Sequence, residues 1–291
     1  IFFDQLDIPK PDYLLNSGGK SHGEMTGGQI IEIEKILIKE NPDYVILYGD
    51  TNSTLSGAIA ASKLSYPIAH VEAGLRSYNM KMPEEINRVL TDRLSKFLFC
   101  PTETAKKNLI MEGYNFFDSK VFVVGDIMLD AINIFIKKLK LKKPLNQPYV
   151  ICTLHRQENV EDFQRLSQII QGLNEISKKI KIIFPIHPRT RDKINSMGLI
   201  LSDDIITKEP MSYHNFLNHI NYCDLVITDS GGIQKEAYFM KKNSLIIREE
   251  TEWKELIENN NNKLCGFKKE TIVQGFNNVK KLNNSFDISF Y

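Results

Sequence analysis

Apolar positions along this chain fall into two kinds of run, and the two kinds alternate. Short continuous runs rich in β-branched and aromatic residues read as buried strands: YVILY at 44–48, PIAHV at 67–71, FLFC at 97–100 and VFVVG at 121–125. Between them lie longer stretches with helical spacing. Residues 24–40 carry Ile30, Ile33, Leu37 and Ile38 at the separations of one helix face. Further helices are predicted over 53–64, from Pro83-Glu84, from Thr102 as N-cap with Glu103 in the first turn, and over 128–139. The pattern then restarts with strands YVICTL at 149–154, IKIIFPI at 180–186, LVITD at 225–229 and SLIIR at 244–248. Helices are predicted over 163–179, 213–221 and 232–240, from Trp253, and over 271–282.

Strands separated by helices of this length imply parallel pairing through right-handed crossovers. The fold class is therefore α/β, with two Rossmann-like domains whose parallel sheets face a central cleft. The Lys-, Pro- and Asn-rich stretch KLKLKKPLNQP at 138–148 is the best linker candidate, dividing the chain into domains 1–143 and 144–291; the alternative is a long surface loop inside one domain. Both ends read as cut. IFFDQLDIPKPDY looks like a helix end followed by a proline-broken loop, with no strand before it, and FDISFY stops on an extended run without a closing helix. The first domain is expected to lack its opening strand and the second to be truncated. No internal repeat and no low-complexity tract appears.

Composition narrows the function classes. With 291 residues, 42% hydrophobic and 25% charged, the chain has an ordinary globular balance. A net charge of +1 argues neither for nucleic acid nor for an anionic membrane surface, and neither partner is expected. No apolar run approaches the roughly 20 residues of a membrane span. The four cysteines, Cys100, Cys152, Cys223 and Cys265, are far apart and each lies in or beside an apolar run, which reads as buried, reduced and cytoplasmic.

Candidate chemistry gathers at predicted strand ends, where open α/β sheets hold their ligands. Asp50 follows YVILY, Glu72 follows PIAHV, and Glu84 stands just after Pro83. Asp50 can serve as an N-cap, with Ser53 or Thr54 sharing that duty, or as a site carboxylate. Glu72 has no obvious capping duty. Glu84 can favour the helix dipole and pair with Arg88, or face a ligand. His155-Arg156 and His187-Pro188-Arg189 also follow strands; histidine exchanges protons near neutral pH, and arginine suits diphosphate or carboxylate. VITDSGGIQKEA at 226–237 reads as a strand, a Ser-Gly-Gly turn and a helix start. Ser230, Gly231 and Gly232 there offer free N–H groups to an anion, and Glu236 can accept from ribose hydroxyls. The alternative is a plain strand-to-helix turn. No HxxxH, HExxH or clustered Asp/Glu spacing suggests a metal.

The strings GDTNST, HVEAGLRS, MPEEINR, LFCPTE, VGDIMLD, TLHRQEN, IHPRTR, TDSGGIQKEA and REETEW occur in this order. Together they resemble the non-hydrolysing UDP-N-acetylglucosamine 2-epimerases over essentially the whole chain. The resemblance implies a glycosyltransferase-B-like fold with a UDP-sugar between two Rossmann-type domains. It implies reversible inversion at C2, interconverting UDP-GlcNAc and UDP-ManNAc by elimination and re-addition of UDP, to supply activated ManNAc for cell-surface polysaccharide. No cofactor is implied. Matched by motif, Asp50, Glu72, Glu84 and His155 stand at the family's catalytic positions. Ser230, Gly231, Gly232 and Glu236 match its UDP contacts, with Phe216 near the uracil. His187 matches a position associated with a second, activating UDP-GlcNAc. A homodimer is expected.

Two departures stand out: the family's amino-terminal Gly-x-Arg-Pro turn with its nearby lysine is absent, and Trp253 stands where some members carry arginine. Other readings are a 2-epimerase of another UDP-amino sugar of the diacetamido-uronate type, a hydrolysing epimerase, a glycosyltransferase, and an inactive UDP-sugar-binding remnant.

Overall fold

The structure, a computed structural model, describes residues 8–138, 141–282, 285–288 and 291. The helix end read over the first residues, the last residue of the predicted 128–139 helix, and part of the terminal extended run lie outside the described residues. The chain divides into two compact units, residues 8–127 with 291 and residues 128–288.

In the first unit, helix α1 (His22–Glu40) begins two residues before its predicted start, because Ser21 and Glu24 form a reciprocal capping box. It ends at Asn41, whose left-handed backbone closes the last turn. Strands β1 (Val45–Tyr48), β2 (Ile68–Val71), β3 (Phe97–Cys100) and β4 (Lys120–Val123) form a parallel sheet in that spatial order. Helices α2 (Asn52–Lys63), α3 (Pro83–Leu94) and α4 (Glu103–Met111) connect them. Leu37 of α1, the alanines 58, 60 and 61 of α2, and Ile68 of β2 share one core. Thr102 caps α4 by accepting from the Ala105 N–H, as its position predicts.

Gly74, just beyond β2, has φ +83°, and a Cβ built there would lie 2.4 Å from the Ala105 carbonyl oxygen in α4. That oxygen belongs to helix backbone and cannot swing aside. Gly74→Ala is therefore expected to cost about 2–4 kcal/mol, from overpacking together with the left-handed penalty. A fall in the denaturant midpoint at unchanged slope checks it.

The second unit opens with α5 (Ile127–Lys138). Reading the linker as the boundary places this helix in the first domain, but its contacts assign it to the second: Phe135 packs edge-on against Tyr213 and His214, ring centroids 5.3 and 5.4 Å away. There follow β5 (Tyr149–Thr153), α6 (Gln157–Val160), α7 (Phe163–Ser177), β6 (Lys181–Pro185), α8 (Pro188–Ser196), β7 (Ile205–Lys208) and α9 (Tyr213–Tyr222). The unit ends with β8 (Leu225–Thr228), α10 (Gly231–Phe239), β9 (Ser244–Ile246), α11 (Lys254–Glu258), β10 (Asn262–Leu264) and α12 (Lys269–Asn277). Its parallel sheet has the order β10-β9-β8-β5-β6-β7, so the chain reverses its direction of travel between β5 and β8. Open sheets hold ligands at such a switch point, beyond the carboxyl ends of the strands. Every residue of β5 and β8 is buried, and their side chains join Leu166, Ile169, Leu173 and Ile182 in a continuous core. The four cysteines are buried thiols. Among the described residues no helix is long and apolar enough to cross a membrane.

Candidate functional site

The first unit brings its carboxylates to the carboxyl ends of β1 and β2. Gly49 turns the chain out of β1 with φ +66°, and a Cβ placed there would lie 3.5 Å from Glu72 Oε2. The Glu72 carboxylate thus rests against the turn that carries Asp50. Glu72 itself has φ +76°, a left-handed conformation that costs a non-glycine residue about 1–3 kcal/mol and gathers at functional sites. The Glu72 and Ala73 N–H groups both donate to the Phe99 carbonyl of β3, which holds this turn in place.

Asp50 is not the cap of α2. Thr51 takes that duty, accepting from the Thr54 N–H, and leaves the Asp50 carboxylate for Arg88, whose Nη2 donates to Oδ2 at 2.5 Å. Arg88 also donates to buried Glu85, so it serves Asp50 and Glu85 rather than Glu84, the partner its spacing predicts. Asn87 donates to the Asp50 carbonyl at 2.9 Å. Glu84 precedes Asn87 and Arg88 by three and four residues and so shares their face of α3, toward the Asp50 turn. It is half-buried and makes no hydrogen bond or ion pair among the described residues.

Glu85, unlike its neighbour, is a structural acid. It accepts from the Ser77 and Tyr78 N–H groups, which with Arg88 overcome the burial that opposes its charge and hold its pKa below the ordinary value.

In the second unit the switch point carries His155 and the Ser-Gly-Gly turn. Asp229, at the end of β8 and fully buried, gathers donors from across it: the His155 and Arg156 N–H groups at 3.2 and 3.0 Å, and Asn159 Nδ2 at 3.2 Å. The His155 imidazole approaches the same carboxylate through Nδ1 at 3.3 Å and is half exposed. A proton on Nδ1 directed to Asp229 leaves Nε2 to face solvent or a ligand. Sequence reasoning missed Asp229. Its only signal is an acid closing an apolar run just before Ser-Gly-Gly.

Ser230 caps α10, its hydroxyl accepting from the Ile233 N–H at 3.4 Å. Gly231 is a place of close approach, since a Cβ there would lie 2.3 Å from Glu252 Oε1. A carboxylate held by buried Arg248 at 2.9 Å therefore already faces this helix N-terminus, where anions are favoured. Gly232 has room for a Cβ at ordinary contact with Met128.

Glu236, one turn into α10, is nearly buried. Burial raises its pKa, against the hydrogen bond from Tyr213 and the charge of Lys235. Tyr213 and Phe216 stand three residues apart on α9, so an aromatic face and a carboxyl are brought together.

His187 is placed differently. It is exposed and caps α8, Nδ1 accepting from the Arg189 N–H at 3.3 Å, and Arg189 itself pairs with Glu161. A cavity of about 450 Å³ beside β10 and α12 is lined by none of these residues. No cluster of three metal-ligating side chains occurs among the described residues.

Two parallel α/β units, one carrying strand-end carboxylates and the other a histidine beside a glycine-opened helix N-terminus, place the chain in the glycosyltransferase-B-like fold class. The UDP-N-acetylglucosamine 2-epimerase family model matches residues 1–288, and the chain belongs to that family. It is 48% identical over 277 residues to the UDP-2,3-diacetamido-2,3-dideoxy-D-glucuronate 2-epimerase of Pseudomonas aeruginosa, covering 94% of this chain and 78% of the relative. It is 46% identical over 305 residues to a UDP-N-acetylglucosamine 2-epimerase of Methanococcus maripaludis, covering all of this chain and 83% of the relative. The crystal structure of the Methanocaldococcus jannaschii UDP-GlcNAc 2-epimerase in complex with UDP-GlcNAc and UDP is similar with a TM-score of 0.92 and 41% identity, over 99% of this chain and 83% of that one.

Proposed function

We propose that this protein inverts C2 of UDP-N-acetylglucosamine reversibly to give UDP-N-acetylmannosamine. The observation that carries the reading is the Glu72 carboxylate resting against the Gly49 turn that leads into Asp50, within a chain of this family. A carboxylate of the first unit takes the C2 proton. The C–H pair becomes the C1–C2 double bond while the C1–O bond breaks and UDP departs with its electrons. A second acid, on the other face, returns a proton to C2, and the diphosphate oxygen re-attacks C1. Asp50, Glu72 and Glu84 are the groups assigned to these transfers, which need opposed acid and base. His155, oriented by Asp229, and the Ser230-Gly231-Gly232 helix start are assigned to the growing charge on the departing diphosphate. Glu236 and Phe216 are assigned to ribose and uracil, and exposed His187 to a second UDP-GlcNAc. We place the enzyme in the cytoplasm as a homodimer.

Incubation with UDP-GlcNAc in deuterated water tests the reading. UDP-ManNAc carrying deuterium at C2 is expected, without free ManNAc. Free ManNAc with UDP would mean a hydrolysing enzyme, and no exchange would mean a binding remnant. The similarity to a diacetamido-glucuronate 2-epimerase favours a second reading, in which the same inversion acts on a sugar with a C6 carboxylate. Offering both UDP-sugars in one reaction decides it by the ratio of kcat/KM.

A further inference from the structure

Behind the carboxylates of the first unit lies a buried charged network that the proposed chemistry does not use. His70, on β2 and fully buried, makes two short ring contacts: Nδ1 to Asp92 Oδ1 at 2.6 Å and Nε2 to the Gly49 carbonyl oxygen at 2.7 Å. A carbonyl oxygen can only accept. Asp92 accepts the Gly74 N–H at 3.1 Å and pairs with the Arg76 guanidinium at 2.7 Å through its other oxygen, and against burial His70 and Arg76 hold its pKa below the ordinary value, so it meets His70 as a carboxylate. A neutral imidazole carries one N–H and would set a lone pair against one of these oxygens. Both contacts are satisfied only when both ring nitrogens carry protons. Charge counting agrees: Arg76 also binds Glu112 through Nε and Nη2, so two carboxylates balance the guanidinium and one further positive charge.

We propose that His70 is a resident imidazolium that positions the Gly49–Asp50 turn, and through it the Asp50 and Glu72 carboxylates, for proton transfer. The Gly49 carbonyl it holds belongs to the peptide group that leads into Asp50, and the Gly49 N–H is held in turn by the Val71 carbonyl beside Glu72. His70 and Glu72 stand two residues apart at the end of one strand, and Glu72 adds a favourable field to the ring. The other groups around it fit a permanent cation. Burial opposes the charge, and the hydrogen bond and charge of Asp92 outweigh it, so the His70 pKa is raised. Cys100, in the field of Asp92, stays a neutral thiol, pushed up to about 12 by burial, and the Tyr114 hydroxyl, in the same field, is raised as well. His70 touches no reacting atom in this arrangement; it acts through the turn.

This inference rests on the proposed epimerisation, so its test has one arm that does not depend on activity. Long-range proton–nitrogen spectra of the nitrogen-15-labelled chain are expected to show both His70 ring nitrogens protonated at about pH 8, well above the ordinary histidine range. A single-proton tautomer at that pH overturns the proposal whether or not the chain epimerises anything. In the second arm, His70→Gln is expected to lower kcat for C2 exchange by roughly tenfold to a hundredfold, the scale of a misplaced catalytic group, with KM for the UDP-sugar within about twofold. Wild-type kcat in a folded His70→Gln variant overturns the positioning role, as does a loss confined to KM. Absence of exchange in the wild-type chain sinks the epimerase reading and leaves the spectroscopic arm standing.

Discussion

Asp50→Asn and Glu72→Gln are each expected to slow deuterium incorporation at C2 by about 100- to 10,000-fold, the span that a positioned acid or base contributes. Both substitutions keep shape and remove charge, so the effect falls on proton transfer. UDP is assigned to groups of the other unit, and its Kd is expected to stay within about twofold. Asp50 is 31% exposed and shares Arg88 with Glu85, so its loss leaves the guanidinium paired and the fold intact. Isotope exchange followed by NMR, with UDP titrations on the same samples, checks the pair of outcomes. Exchange at the wild-type rate in either variant would remove that carboxylate from the chemistry.

The second large effect is on stability. Asp92→Ala is expected to cost about 3–5 kcal/mol, the penalty for breaking a fully buried ion pair and stranding its partners, here Arg76 and His70. The same network sets a pH window. Burial raises the Asp92 pKa, but the His70 hydrogen bond, with the charges of His70 and Arg76, brings it below its ordinary 3.8. Its contribution is therefore present above about 3.8 and lost as pH falls through the lower folded value. His70 has the opposite sign. Its folded pKa lies above 6.5, so its contribution is complete below 6.5 and fades as pH rises through the folded value. Melting curves are expected to show the wild-type chain losing stability from about pH 7 upward, a slope that His70→Gln flattens. An identical alkaline slope in the variant would mean that other groups produce it.

Much of the architecture was legible in the periodicity of the chain. The fully buried runs of β5 and β8 and the amphipathic stretch of α7 declare themselves by composition and spacing. Elements that escaped carry little of either signal. β7 and β10 are short and half polar, and take their conformation from the neighbours they pair with. α8 was readable in principle, since Pro188 stands at its first position, but the His-Pro-Arg sequence draws attention to chemistry instead.

At the site the split follows exposure to solvent. The carboxylates and histidines assigned to a ligand, Asp50, Glu72, His155 and His187, follow strands and stand out. Residues that hold them, such as His70, Asp92 and Asp229, are polar groups inside apolar runs or helices, and Arg76 lies in the loop after β2. Their partners lie 16 to 74 residues away, a distance no local pattern spans. Arg88 shows the cost of local reasoning: helix spacing offers it Glu84, while tertiary packing gives it Asp50.

The twisted backbone at Glu72 sets ease of folding against turnover. Glycine would sit there without strain, and under the proposed chemistry a chain so relaxed would have surrendered a proton-transfer group. Selection for heat resistance alone would therefore drift toward a sturdier, idle protein, and any programme to harden this enzyme has to leave that one uncomfortable residue in place.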